Sequence, residues 1–215
     1  MEVLDARSPG HGIRLEDIRA GLRNGFPWHR ADDPHPYPGD RERWWEAVER
    51  LIADALAGAG VRRGDCRALA REVRTRFVDP SIGWRLFDDA VPALTTMAEF
   101  GWTNAIVSNH VPELPELVAG VGLDAHVDAI FTSALVGFDK PNPAFFERVA
   151  EAYGKPREVW MVGDNPAADV AGAEAVGFHA ILVRTRPNGV RHHAAGLMDA
   201  ARIILGRHAR AGFPA

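Results

Sequence analysis

The second half of the chain alternates short apolar segments with helical ones, and this alternation constrains the fold more than any other feature. Each apolar segment is continuous rather than alternating, which is typical of strands buried on both faces. Strand–helix alternation predicts a parallel sheet with right-handed crossovers, and therefore an α/β core. The predicted strands are 105–107, 129–131, 159–162 and 180–183, with a further one at 202–205.

The residues before this core have only helical patterns. Asp40 is expected to cap a helix whose apolar residues are spaced at three and four and which ends near Gly58. Shorter helices are predicted at 13–22 and from about Asp65, and a proline-rich loop, residues 26–40, lies between the first of these and the Asp40 helix. We therefore divide the chain into three parts: residues 1–11, a helical unit at 12–86 and the α/β core at 87–215.

The composition argues against several classes of partner. The net charge is −4, so no basic balance indicates nucleic acid or an anionic membrane. No apolar run approaches the ~20 residues of a membrane span, and the first residues do not have the pattern of a signal peptide. Cys66 is the only cysteine, which excludes a disulfide within the chain. We expect a cytoplasmic protein.

Polar residues that suit phosphoryl transfer follow the predicted strands. Ser108 and Asn109 follow the first strand, Lys140 comes after the second, and Asp164 and Asp169 come after the third. Open parallel sheets bind ligands beyond the carboxyl ends of their strands, so these side chains are expected at one edge. Two carboxylates suit Mg²⁺, and a lysine and a hydroxyl suit a phosphoryl group. Each residue alone also has an ordinary explanation, as a turn residue, a surface charge or a helix cap.

The order of these motifs resembles the haloacid dehalogenase-like hydrolase superfamily. Ser108-Asn109, Lys140-Pro141 and the sequence GDNPAAD are similar to the second, third and fourth motifs of that family, and FTSALVGFDKPNPAFF is similar to its phosphatase-type members. The similarity covers about residues 88–205. The helical unit in front resembles the family's first-type cap domain.

This resemblance implies a fold and a reaction. The fold would be a doubly wound, Rossmannoid parallel sheet with an all-α cap, and the substrate a small phosphorylated metabolite. Mg²⁺ would be bound by Asp164 and Asp169. Catalytic roles would fall to Ser108, Asn109 and Lys140.

The family's first motif, DxDx(T/V), is missing from the chain. In the family, its first aspartate attacks phosphorus and forms an aspartyl-phosphate, and its second is the general acid and base. Asp5 is the only candidate near a strand-like segment, but Arg7 stands where the second aspartate is needed. Asp32-Asp33 lies in the proline-rich loop, and Asp88-Asp89 is more simply a helix N-cap.

Two explanations for the missing motif stay open. Either the natural chain starts upstream, with residues 1–11 as the remnant of a helix and linker, or the protein is a family member without catalysis. We favour the first, and we expect the 215 residues alone to be inactive. A core without its first strand has two unpaired interior edges, so we also expect poor solubility. The alternatives to a Mg²⁺-dependent phosphatase are a non-catalytic binding module and a 2-haloacid dehalogenase, which needs no metal.

Aromatic residues are concentrated in the helical unit. The simpler interpretation of Trp44, Trp45 and Trp84 is that they form the core of the cap and its interface with the α/β unit. Trp28 and His29 are the better candidates for lining a substrate entrance. His29 is also a candidate proton donor.

Overall fold

The predicted strands form two parallel sheets. A computed structural model of the chain describes residues 1–185 and 192–210, without the side chains of Trp28 and of residues 208–210. The first sheet pairs β1 (Ala105–Ser108) with β2 (Ala129–Thr132). The second has the order β3 (Trp160–Gly163), β4 (His179–Val183) and β5 (His193–Ala194). The α/β core predicted from the apolar segments is therefore confirmed.

The helices surround the sheets and also form a separate unit before them. The helices of this first unit are α1 (Glu2–Arg7), α2 (Leu15–Gly21), α3 (Arg41–Gly58) and α4 (Arg63–Phe77), with a 3₁₀ turn at Pro27–Arg30. The helices of the core are α5 (Ala90–Glu99), α6 (Leu114–Gly120), α7 (Ser133–Val136), α8 (Pro143–Ala152), α9 (Gly172–Ala175) and α10 (Leu197–Arg210). A 3₁₀ turn spans Asp124–His126 and a π-helical turn spans Pro166–Ala171.

After His179, the residues of β4 are all apolar because helices cover both faces of its sheet. Ala180 and Leu182 pack with Phe146 of α8 and with α9 on one face. Ile181 and Val183 pack on the other face against a cluster that includes residues of α5 and α10. Successive side chains of a strand point to opposite faces, so a strand covered on both sides has no polar position.

The sheet is divided between β1 and β3. Within the described residues β1 pairs only with β2, and β3 pairs only with β4. All four residues of β1 are half-buried, whereas four of the five residues of β4 are buried. Each of β1 and β3 therefore has one edge without a strand partner in the described ranges. Open edges carry unpaired backbone groups that a further strand can pair with.

The helical unit has an apolar core of its own. Asp40 caps α3 as predicted, because its carboxylate accepts a hydrogen bond from the Arg43 backbone N–H at 3.1 Å. Helix α3 packs against α2 and α4, and α1 joins the same core. The buried residues of this core are Val3, Leu4, Ile18, Ala53, Ala55, Leu56, Cys66, Leu69 and Ala70.

Two predictions for the core are wrong. Residues 202–205 lie inside α10, where Ala200, Ala201 and Ile204 are buried at helical spacing. Asp89 precedes α5, but its carboxylate does not cap that helix; it accepts from the Leu197 backbone N–H at 2.7 Å and pairs with Arg184. The Asp89 carboxylate therefore binds the first residue of α10 instead of the backbone of α5.

The proposed division of the chain at residues 12 and 87 stays a prediction. Residues 186–191 and 211–215 of the third part lie outside the described residues. No helix in the described ranges is both long and apolar enough to cross a bilayer.

Candidate active site

Three of the five predicted site residues, Asn109, Lys140 and Asp169, are joined by hydrogen bonds. The other two, Ser108 and Asp164, lie at the carboxyl ends of β1 and β3. We call this group the rim: Ser108, Asn109, Lys140, Asp164 and Asp169. Ser108 ends β1 and Asn109 follows it, while Asp164 directly follows β3. This placement follows from parallel strands, whose carboxyl ends lie at one edge of the sheet.

Lys140 connects the two sheets. Its Nζ donates to the Val107 carbonyl oxygen at 2.8 Å and to Asp169 Oδ1 at 2.6 Å. Val107 lies on the open edge of β1, and Asp169 lies in the π-helical turn after β3. Lys140 is only 7% exposed and Asp169 only 5%. The ammonium group is therefore a buried, paired charge and not a surface lysine.

Asn109 holds the backbone of Lys140. Its Nδ2 donates to the Lys140 carbonyl oxygen at 2.8 Å, and its Oδ1 accepts from the Lys140 backbone N–H at 2.7 Å. Both the nitrogen and the oxygen of the Asn109 side-chain amide are therefore hydrogen-bonded to the Lys140 backbone. Asn109 thus holds the Lys140 backbone in place, and the catalytic role that the resemblance implies for it stays a prediction.

Ser108 lies between two residues that contact Lys140. It is half-buried at the end of β1, and within the described residues its hydroxyl has no hydrogen-bond partner. The hydroxyl can therefore donate to a ligand. A hydroxyl beside a lysine ammonium suits a phosphoryl oxygen.

Asp169 uses both carboxylate oxygens within the protein. Oδ1 accepts from Lys140, and Oδ2 accepts from the Asn165 backbone N–H at 3.0 Å. The side chain fits because residue 163 is glycine: a Cβ there would lie 2.2 Å from Asp169 Oδ2. Gly163 thus lets the carboxylate lie against the end of β3.

Asp164 is the carboxylate of the rim that remains open. It is exposed, and its side chain makes no hydrogen bond or ion pair within the described residues. Mg²⁺ takes oxygen ligands and keeps several waters, so one or two carboxylates with phosphate are enough for it. The rim fits such an ion with Asp164 as the direct ligand. In the described ranges no group of three or more His, Cys, Asp or Glu side chains could hold a metal.

None of the aspartates considered as a nucleophile reaches the rim. Asp5 lies in α1, which packs on α4, and it accepts from His11 at 2.9 Å. Asp32-Asp33 is exposed in the proline-rich loop, and Asp89 is paired with Arg184. The rim as described holds a cation, a hydroxyl and two carboxylates, but no third carboxylate.

The cap residues divide into buried and exposed ones. Trp44 and Trp45 are buried with Val48 against Val111, Leu117 and Ala134 of the core, which confirms their interpretation as interface residues. His29 is exposed and its ring meets Phe26 edge-on at 5.7 Å, and its predicted roles stay predictions. The side chain of Trp28 lies outside the described residues, so its role stays a prediction.

Sequence reasoning missed three side chains that contact the cap–core boundary near the rim. Glu113 is buried, and both of its oxygens accept from Trp45 Nε1, at 2.8 and 3.0 Å. His35 of the proline-rich loop lies 2.6 Å from Asp139. The sequence signal available for this contact was an acidic residue, Asp139, directly before Lys140. Its partner is 104 positions away, and no local pattern indicates it.

His110 forms an aromatic surface next to Asn109. Its ring stacks on Phe77 with centroids 5.7 Å apart and meets Trp84 at 5.3 Å. Burial lowers the pKa of His110 below its ordinary value, so the imidazole is uncharged at neutral pH.

Comparison with known proteins agrees with this geometry. The family model described as haloacid dehalogenase-like hydrolase matches residues 9–177. Haloacid dehalogenase-like hydrolase domain-containing protein 3 of Bos taurus is 34% identical over 184 residues, which covers 82% of this chain and 72% of the relative. A protein of Thermus thermophilus named phosphoserine phosphatase is 35% identical over 137 residues, covering 63% of this chain and 53% of that protein.

A solved structure shows the same fold. The crystal structure of a 2-haloacid dehalogenase from Pseudomonas syringae superimposes with a TM-score of 0.66 at 20% identity, covering 96% of this chain and 87% of that one. The fold thus defines a protein with an α/β core under a helical cap. The chain belongs to the haloacid dehalogenase-like hydrolase family.

Proposed function

We propose that the chain serves a Mg²⁺-dependent phosphomonoester hydrolase that acts on a small phosphorylated metabolite. The observation that carries this proposal is Lys140, a buried ammonium held between the Val107 carbonyl of β1 and the Asp169 carboxylate. Ser108 at the end of β1 and the exposed Asp164 directly after β3 have side chains that make no hydrogen bond within the described residues. The Thermus relative, whose name states phosphatase activity on a small phosphorylated amino acid, supports the same substrate class.

Each residue of the rim has a distinct role in this proposal. Lys140 balances the negative charge of the phosphoryl group, and the Ser108 hydroxyl with the neighbouring backbone N–H orients a phosphoryl oxygen. Asn109 keeps the Lys140 backbone in place, and Asp169 keeps its ammonium in place. These residues bind and orient, which is most of what phosphoryl transfer asks of a protein.

Mg²⁺ would be bound at Asp164, with Asp169 beside it. Bound there, Mg²⁺ would add positive charge next to the phosphoryl oxygens. Asp169 already binds Lys140 and Asn165 in this structure. We therefore assign the direct metal contact to Asp164, and to Asp169 the placement of Lys140.

The proposed reaction passes through an aspartyl-phosphate, and its nucleophile is not among the carboxylates of the rim. The open edges of β1 and β3, on either side of Lys140, are where a strand carrying DxDx(T/V) would place that carboxylate. We expect the 215 residues alone to bind phosphate without turnover.

Two other functions remain as alternatives. A 2-haloacid dehalogenase needs no metal, so the open carboxylate of Asp164 would have no purpose in it. A non-catalytic binding module is favoured by one observation, the lack of a third carboxylate at the described rim.

The test uses the chain extended at its N-terminus by a strand and loop that carry DxDx(T/V). We expect this protein to hydrolyse p-nitrophenyl phosphate only with Mg²⁺. Asp164→Asn should lower kcat/KM at least about 100-fold, since even outer partners of a metal cost 10–100-fold. Asp199→Asn, at a surface ion pair of α10, is the matched control and should change little.

The outcomes separate the three functions. Equal turnover of Asp164→Asn and the parent would contradict the metal assignment. Metal-independent release of halide from a 2-haloacid would favour the dehalogenase. Phosphate binding without any turnover in the extended chain would favour the binding module.

A further inference from the structure

A buried histidine–carboxylate pair joins the proline-rich loop to the residue that precedes Lys140. His35 Nε2 lies 2.6 Å from Asp139 Oδ2, and the two side chains are 3% and 1% exposed. A carboxylate only accepts, so Nε2 is the donor in this contact. The pair connects residues 104 positions apart in the chain.

Four further hydrogen bonds join the same loop to the same core segment, one of them from the Asn142 side chain to the Asp32 carbonyl at 3.3 Å. The His35 backbone N–H donates to the Gly137 carbonyl at 2.8 Å, and the Gly39 N–H donates to Ala134 at 3.2 Å. The Asn142 side chain donates to the Ala31 carbonyl at 2.9 Å. The proline-rich loop is therefore bound to residues 134–142 on both sides of Lys140.

The pair has no alternative partner in the described part of the chain. His35 Nδ1 and Asp139 Oδ1 are both buried without a hydrogen-bond partner. If the loop moved away, the Asp139 carboxylate would lose its one strong donor while still largely enclosed by protein. Breaking one side of such a pair is costly because it leaves a polar or charged group buried alone.

Asp139 transmits this constraint to Lys140 through the chain. Asp139 directly precedes Lys140 in the chain and is held by His35. The backbone of Lys140 itself is held by the Asn109 side chain. We propose that His35 and Asp139 are positioning residues for Lys140, and that the proline-rich loop thereby helps to fix the geometry of the rim. Their importance for turnover depends on the proposed hydrolase function, whereas the coupling to Lys140 depends only on this geometry.

The two lysines of the chain make the coupling measurable without turnover. Lys140 is buried, and Lys155 is 75% exposed at its side chain and serves as the internal reference. An N-hydroxysuccinimidyl acetate acylates an accessible, uncharged lysine amine, and mass spectrometry reports the rate for each site. The rate at Lys140 relative to Lys155 therefore measures how often Lys140 leaves its buried position.

We expect His35→Leu to raise the relative rate at Lys140 about tenfold or more, as expected when a closed state loses a hydrogen bond to a buried charged group. His35→Gln should restore the parent rate within about twofold, because the glutamine Nε2 can donate where the histidine Nε2 does. Arg30→Gln, in the same loop and with a side chain that is 74% exposed, is the matched control and should leave the rate unchanged.

The pattern across the three variants decides the proposal. If the Leu and Gln variants of His35 raise the rate equally, the role of His35 is packing and the proposal is overturned. The same holds if neither changes it. A protein that fails to hydrolyse any phosphomonoester leaves this result untouched, because acetylation requires no turnover.

A second measurement covers the case in which His35→Leu does not fold. In the unsubstituted chain, amide hydrogen exchange of residues 31–40 should be slowed together with that of residues 134–142, because their hydrogen bonds open together. Fast exchange of the loop while 134–142 stays protected would overturn the coupling.

Discussion

The Lys140–Asp169 pair should contribute strongly to folding as well as to the site. Both side chains are 7% exposed, and the Nζ–Oδ1 distance is 2.6 Å. Removing one partner of a buried pair leaves the other charge uncompensated, which costs about 3–5 kcal/mol. Asp169→Asn should be near the upper end, because Lys140 would keep only uncharged acceptors, the Val107 carbonyl and the new amide oxygen. Lys140→Met should be near the lower end, because Asp169 would keep the Asn165 N–H.

The assay is urea unfolding followed by far-ultraviolet circular dichroism, with the two single variants and the double variant forming a cycle. The double variant should cost clearly less than the sum of the singles, since it removes both charges together. Lys155→Met is the matched control, because Lys155 is exposed and 3.7 Å from Glu151. It should change the free energy of unfolding by less than about 0.5 kcal/mol.

Simple additivity of the two single variants would refute this reasoning, because it would mean that the two charges do not interact in the folded protein. A cost for Lys140→Met no larger than that for Lys155→Met would refute it as well. It would show that the Lys140 ammonium is solvated.

Two further predictions concern neighbouring residues. Gly163→Ala should destabilise the protein by about 3 kcal/mol in the same unfolding assay, because its Cβ would displace the Asp169 carboxylate; Gly58→Ala, where a Cβ meets nothing within 4 Å, should be neutral or stabilising. Burial lowers the pKa of His110, so the unfolded chain binds more protons than the folded one as the pH falls from the ordinary histidine pKa to the lowered value. The free energy of unfolding should therefore decrease as the pH is lowered through that window, and it should decrease less in His110→Gln. A His110 pKa at or above 6.5 in an NMR titration would contradict this prediction.

The secondary structure was largely predictable because its causes are local. Continuous apolar segments became β1 to β4, and Asp40 capped α3 as its position before a helical pattern indicated. The prediction failed at 202–205, where a short apolar segment belongs to α10. A segment of that length fits a strand or a buried helix equally well, and only the surrounding packing decides.

The rim was predictable in membership but not in arrangement. Parallel strands bring Ser108, Lys140 and Asp164 to one edge, and this follows from chain order alone. That Asp169 pairs with Lys140, and that Asn109 holds its backbone, depends on side-chain directions in the folded chain.

The sequence by itself determined the α/β core, the helical unit before it and the residues at the ends of the strands. Only the tertiary structure decided which carboxylate stays open, Asp164 rather than Asp169, and that His35 of the proline-rich loop contacts Asp139 of the core. The physical reason is the distance along the chain over which each interaction acts. Periodicity and capping act over one turn or one strand, whereas burying Asp139 requires a donor brought in from 104 residues away.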